Sequence, residues 1–337
     1  MSDDALPPLY ADWLGEALPA PPAPEHRATC GDCVLCKPAV PEEERFRAET
    51  KCCTYVPRLP NFLVGRILAD EDPAMARGKA ILLDRLRRGI GVHPMGMVVD
   101  DREQIAYELL VEAGLFGQAT DLKCPWFITD GGLCSIWRHR NATCSTWYCR
   151  HDQGARGHRF WQAVEALLKH LEHTAALHLA VRTRFGRPRD RAHAEAAILR
   201  GEWDDWITDI EGYYRATADH LAALDWEALL RLDPTLTLPL VEAVQDAQFQ
   251  RHTPPPSETR YTFAGTHRET SGQHRLSGYL RFAALSVSPD TAHLVTRWRD
   301  GTLAELAGAL QSSLDTDDAA PQLLQRLIDD EILKPAP

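Results

Sequence analysis

The chain has 337 residues, 44% of them apolar, with a formal net charge of −11 and a pI near 5.7. That length accommodates two or three domains, and that apolar fraction excludes a largely disordered chain. The acidic balance excludes a broad nucleic-acid or anionic-membrane surface, since both are built from Lys and Arg.

At the start, MSDDALPPLYADW is acidic where a secretion signal would be basic. No run approaches the roughly 18 apolar residues of a membrane helix. A soluble cytoplasmic protein without membrane or nucleic-acid partners is therefore expected. The short apolar patch LPPLYADWLGEAL is followed by PAPPAPEH, so residues 1–27 read as an extended, flexible proline-rich arm.

Residues 28–155 hold all nine cysteines. Within them, LPNFLVGRILAD and DPAMARGKAILLDRLRRGIG read as helices, the second opened by Asp72 and Pro73. DREQIAYELLVEAGLFG reads as a third, ended by glycine, and VHPMGMVVDD as a turn or short strand. RLPNFLVG is expected to pack the cysteine region, with Asn61 capping its helix.

Residues 156–252 read as a helical region packed on the cysteine region. Phe160, Val164, Leu167, Leu168, Leu171 and Ala175 mark one apolar helix face. More helices are expected at about 190–200, 203–223, 226–232 and 238–250. RHTPPPSETR then breaks the chain, placing a boundary there.

Residues 258–337 read as a small α+β domain, with strand-like YTFAG, HRLSG and YLRFAALSVS. Two helix starts follow at Ser288-Pro289 and Gly301-Thr302. Its end resembles a winged helix of the PqqD-like kind, which implies binding of a peptide or protein. A winged helix used for packing or dimerisation is the other reading. The expected fold class is thus mostly α with minor β: a cysteine-rich metal-binding domain, a helical middle region and a winged-helix-like α+β domain.

The cysteines carry the chemistry. Cys30, Cys33 and Cys36 form C-x2-C-x2-C, and Cys52-Cys53 follow after a polar insert. Cys124, Cys134, Cys144 and Cys149 make a second group. In a reducing compartment dense cysteine points to metal, and thiolate is the soft ligand of zinc, copper(I) and iron–sulfur clusters. Metal-free buried thiols are the plainer reading, disfavoured by the paired and C-x2-C spacings. A ferredoxin loop would need cysteine at position 40, which is Val40. The second group has no C-x2-C, so a zinc ribbon fails too. Nine thiols would fill two four-thiolate sites with one spare, or one cluster with several free.

The second group resembles the YkgJ-type cysteine-cluster family of zinc- or iron-chelating proteins. That family joins a C-x2-C-x2-C-C block to a Cys-Pro, a Cys before an aliphatic residue, and an Arg-Pro ahead of two more cysteines. Cys124-Pro125, Gly132-Leu133-Cys134-Ser135-Ile136, and Arg140 with Cys144 and Cys149 carry the match. The first block is split here, and Asn141 stands at the proline. The resemblance covers roughly residues 28–155 and implies metal held by Cys30, Cys33, Cys36, Cys52, Cys53, Cys124, Cys134, Cys144 and Cys149. Its flagellin lysine-N-methylase-like members, which are iron–sulfur proteins, imply modification of a peptide or protein substrate. Whether the chain is an enzyme stays open, and no catalytic residue is assigned. The thiol surplus and the aromatics Trp126, Phe127, Trp137, Trp147 and Tyr148 favour a 4Fe–4S cluster. Zn²⁺ in a structural adaptor is the alternative.

His139, His151 and His158 lie near the last cysteines, as ligands, proton shuttles or parts of an exposed polar loop. Arg138, Arg140 and Arg150 either offset thiolate charge or pair with surface carboxylates. His170, His173, Glu165 and Glu172 share a helix without the Glu-x-x-His spacing of a di-iron site. Asp204, Asp205, Asp209 and Glu211 read as a solvated helix face. No phosphate-binding glycine loop, nucleophile elbow or kinase motif is present. The C-x2-C-x2-C spacing is one residue short of the C-x3-C-x2-C of radical enzymes.

Overall fold

The computed structural model describes residues 6–20, 22, 25–28, 30–185, 191–203, 208–252, 258–270, 272–312 and 319–336. The protein is mostly helical, with small antiparallel sheets. Its helices are α1 (Pro8–Ala17), α2 (Asn61–Ala69), α3 (Ala76–Arg87), α4 (Asp101–Glu112), α5 (Ala142–Thr146), α6 (Gly154–Phe185) and α7 (Arg191–Leu199). They continue with α8 (Ile210–Ala222), α9 (Trp226–Leu230), α10 (Pro234–His252), α11 (Pro289–Arg297), α12 (Leu303–Gln311) and α13 (Ala319–Asp329). Among the described residues no helix is long and apolar enough to cross a membrane.

The apolar face read in the sequence becomes the axis of the fold. Phe160, Val164, Leu167, Leu168, Leu171 and Ala175 are all fully buried on α6. Tyr10, Trp13 and Leu14 of α1 join that core, so the apolar patch ahead of the prolines is built into the molecule instead of hanging as an arm. Farther on, Glu25 is buried against Arg251 at 2.9 Å and accepts 2.6 Å from the Trp161 indole. Residues 1–5, 21, 23 and 24 of the arm lie outside the described residues.

Helix α2 bridges two cores. Phe62 and Leu63 face the α6 core, while Val64, Ile67 and Leu68 share a second with Leu82, Trp126, Ile136 and Tyr214. Gly65 lets α8 approach closely: a Cβ there would stand 2.0 Å from the Tyr214 carbonyl. Cysteine region and helical region therefore share their cores, and α6 runs across the expected 155/156 division. Asn61 is not the cap of α2. It sits inside the first turn, fully buried, and its amide donates to Pro94 O at 3.1 Å and Ala176 O at 2.9 Å. Strands β1 (Leu59–Pro60), β2 (Val92–His93) and β3 (Gly96–Met97) form a sheet beside it in the order β1-β3-β2. β4 (Phe127–Ile128) and β5 (Leu133–Cys134) form a hairpin.

The expected boundary at residues 253–257 lies outside the described residues, between the end of α10 and β6 (Arg260–Phe263). Residues 258–336 have their own core of Tyr261, Leu276, Val295, Leu306, Leu310, Leu327, Ile332 and Leu333. One sheet there runs β10 (Gly301–Thr302), β6, β11 (Leu333–Pro335). The other runs β7 (Thr266–Thr270), β8 (Gln273–Ser277), β9 (Leu285–Val287). Ser288 caps α11 ahead of Pro289, and Thr302 with Glu305 makes a capping box on α12.

Candidate metal centre

The nine cysteines come from four pieces of chain, each shaped by local geometry. Cys33 opens a single 3-10 turn and its carbonyl accepts from Cys36 N at 3.1 Å, which brings the two thiols into hydrogen-bonding contact. Lys51 has φ 50°, a left-handed angle costly for a residue with a Cβ. That twist sets up Cys52 and Cys53, whose thiols are hydrogen-bonded to each other.

The second group is joined to this pair directly. Cys124 N donates to Cys53 O at 2.8 Å. Cys134 pairs with Phe127 across the β4–β5 hairpin, whose turn uses Gly131 and Gly132 at φ 82° and 62°. Asn141 caps α5 by accepting from Cys144 N at 3.0 Å. Asn141 thus fixes the turn that carries Cys144.

The thiols form one electrostatic community with Cys52 at its centre. Cys52 opposes ionisation of Cys30, Cys36, Cys134, Cys144 and Cys149, and is itself opposed by Cys53 and Cys33. Cys124 is held in the same way by Cys144 and Cys134. Burial, reinforced by Cys33, pushes the Cys36 thiol up to about 12; burial, with Cys52 next, does the same for Cys149. Burial also raises Cys124, Cys134 and Cys144. Cys30 is raised as well, by desolvation of its thiol, although the residue keeps exposed surface. For Cys52 the hydrogen bond with Cys53 acts first and burial second, both raising it. A bound cation inverts this balance, because coordination deprotonates thiols outright.

Cations face the thiols: Lys51, Arg140 and, beside Cys149, Arg150. Lys51 is buried, and its ammonium donates to Gly132 O at 3.1 Å and to Cys30 O, tying the first cysteine loop to the hairpin. Arg140 favours ionisation of Cys30, Cys134 and Cys144, and its Nε is buried without a hydrogen-bond partner among the described residues. Sequence reasoning picked out Arg140 by position but missed Lys51, which no spacing marks.

The other candidates separate. His139 and His151 are buried, which removes the exposed-loop reading for both. His139 pairs through Nε2 with Asp70 at 2.6 Å, and Arg138 binds Asp72 at 2.8 Å. His151 contacts the Tyr279 hydroxyl at 3.3 Å, with the His158 ring 5.0 Å away. Arg150, beside Cys149, donates to Phe282 O at 3.1 Å. Glu172 is buried, accepting from Ala142 N at 2.8 Å and from the Tyr10 hydroxyl. Glu165 pairs with Lys169, His170 meets Thr237 at 3.0 Å, and His173 is exposed, so these four make no common site. Asp209 caps α8 through Gly212 N, while Asp204 and Asp205 lie outside the described residues. Of the aromatics, Trp126 and Phe127 are buried in the core that holds Cys124. Trp147 packs on Phe116 and Phe282, and Tyr148 on Trp161.

Among the described residues no three His, Cys, Asp or Glu side chains are grouped, as they stand, to hold a metal ion. Donor chemistry and charge nevertheless fit a thiolate-bound metal: soft sulfur from four segments, cations beside them, and the buried Arg140 Nε without a partner among the described residues. Comparison with protein-family models, curated proteins and solved structures returns no match for this chain.

Proposed function

We propose that this chain is a metal-chelating protein of the reducing cytoplasm. It binds an iron–sulfur cluster of the 4Fe–4S kind through thiolates drawn from Cys30, Cys33, Cys36, Cys52, Cys53, Cys124, Cys134, Cys144 and Cys149, as in the YkgJ-type family it resembles. One observation carries the reading. Thiols more than one hundred residues apart in sequence lie around Cys52, beside Arg140, whose buried Nε has no hydrogen-bond partner among the described residues. Gathering so many neutral thiols serves no packing need that alanine or valine would not meet, whereas soft metals require them. A cluster would supply electron transfer or Lewis acidity; Lys51 and Arg140 would neutralise its charge and orient the loops that hold it.

Metal and acid-labile sulfide analysis of anaerobically purified protein is the test. Iron and sulfide in equal amounts are expected, with both lost in Cys52→Ala. Stoichiometric zinc without sulfide would replace the cluster by a structural zinc adaptor, and neither metal would end the reading.

A second reading, in which the chain modifies a peptide or protein, is favoured by the placing of the C-terminal domain. Tyr279 and Phe282 lie directly against the Cys149–His151 stretch. A peptide held by that domain would therefore arrive beside the thiols. Crosslinking of a peptide library to the full chain, followed by mass mapping, would place captured peptides on residues 258–336 if this holds.

A further inference from the structure

We propose that Cys33 and Cys36 are a redox switch on the thiol centre. In the metal-free chain they close a disulfide by exchange with a small disulfide of the glutathione class, and the closed bridge blocks metal loading. The blocking rests on the metal-centre reading; the bond itself does not.

Local geometry singles out this pair among the nine thiols. The 3.1 Å bond from Cys36 N to Cys33 O closes a tight turn. Such a turn holds its first and fourth Cα atoms less than about 7 Å apart, and a disulfide spans about 4.4–6.8 Å. The two thiols are already hydrogen-bonded, so side-chain rotation is enough to join them. Both residues are half-buried, and a small oxidant reaches them from solvent. The neighbouring pairs are set differently. Cys52 and Cys53 are also hydrogen-bonded, but the Cα atoms of adjacent residues stand about 3.8 Å apart, below the disulfide range. The Cys52 thiol is buried as well. Cys30 has the same sequence spacing from Cys33, yet Lys51 holds its carbonyl, and Cys52 and Arg140 act on its thiol ahead of Cys33.

The exchange runs in two steps. The Cys33 thiolate attacks one sulfur of glutathione disulfide, forms a mixed disulfide and releases one glutathione thiolate. Capping Cys33 removes the hydrogen bond and the charge through which it opposed ionisation of Cys36, while Lys51 still favours that ionisation. The Cys36 thiolate then attacks Cys33 Sγ and expels the second glutathione thiolate. Two protein thiols are oxidised and one small disulfide is reduced, the two protons passing to the departing thiolates. Neither bridged sulfur is then a thiolate, and the thiolate is the form that ligates a soft metal.

The test uses the full chain, stripped of metal by a chelator under reductant and then exposed to glutathione disulfide. Iodoacetamide alkylation and non-reducing peptide mapping are expected to show Cys33 joined to Cys36, with the other seven cysteines alkylated. Cys36→Ser, with unchanged circular dichroism, should trap glutathione on Cys33, and Cys30→Ser should still close the bridge. Offered ferrous iron and sulfide, the bridged chain should take up roughly tenfold less iron than the reduced chain, and dithiothreitol should restore uptake. A wild-type bridge at another pair, no bridge, or equal iron uptake by bridged and reduced chains overturns the proposal. A reduced chain that takes up no iron instead ends the metal-centre reading, and the blocking role with it, while the peptide map still decides the bond.

Discussion

Lys51 shows how one residue can matter without announcing itself. Its left-handed backbone, its burial and its bonds to Cys30 O and Gly132 O all serve to fasten two cysteine loops together. Gly132 answers it, because a Cβ there would lie 2.2 Å from the lysine nitrogen. Cysteines could be read from type and spacing; Lys51 could not, since its conformation is imposed by contacts 81 residues apart. Glu172 is a second case. Burial holds its carboxyl up at about 7 against an ordinary 4.5, despite the bonds from Tyr10 on α1 and Ala142 N on α5. Lys169 and Glu165 on α6 and Cys144 on α5 also face it. Below about pH 4.5 the group is neutral in both states and costs nothing. As pH rises to about 7 the unfolded chain ionises first, so stability falls, by about 3 kcal/mol in all. Glu172→Gln, which keeps the acceptor oxygen, is expected to flatten that fall. Urea denaturation from pH 4 to pH 8 measures it.

Among elements, the long amphipathic helices were legible and the pieces that depend on partners were not. α6 follows directly from its apolar spacing, α11 and α12 from their caps, and the 3-10 turn Pro73–Met75 that leads into α3 from its cap at Asp72. β7 is Thr266–Thr270 with four of five residues exposed, so it carries no apolar alternation and exists by pairing with β8. α10 begins at Pro234, not near 238, because Pro239 looks like a first-turn proline yet sits inside the helix. α5 is the element on which the thiol centre most depends: five residues are too few to hold a helix without tertiary contacts and a cap. Asn141→Ala removes that cap and should cost about 1 kcal/mol. Faster alkylation of Cys144 by iodoacetamide, followed by mass spectrometry, is the expected sign.

At the scale of the molecule, residues 258–336 have their own core yet grip the rest of the chain at several points. Arg275 pairs with Glu44, Arg156 with Asp329 at 3.1 Å, and Arg150 reaches Phe282 O. Phe282 completes an aromatic group with Phe46, Phe116 and Trp147 at centroid distances of 5.3, 5.8 and 6.2 Å. The separate core follows a change from helical to strand-like sequence; its docking was not legible, because the contacting residues are scattered over both halves. Phe282→Ala is expected to loosen this docking by about 1–2 kcal/mol while both cores persist. Hydrogen exchange should then quicken around Phe116, Trp147 and residues 279–283 and stay unchanged in α6.

The hydrogen bond from Cys124 to Cys53 also has a consequence in time. During synthesis Cys30 to Cys53 leave the ribosome well before Cys149, a lag of about ten seconds at ordinary elongation rates. For that interval a nascent chain displays five thiols without the hairpin, cap and cations that gather them. They are then open to oxidation and to whatever soft ion arrives first. The thiol centre can accordingly assemble only after Cys149 has emerged, so the vulnerable stage of this protein's life is its birth.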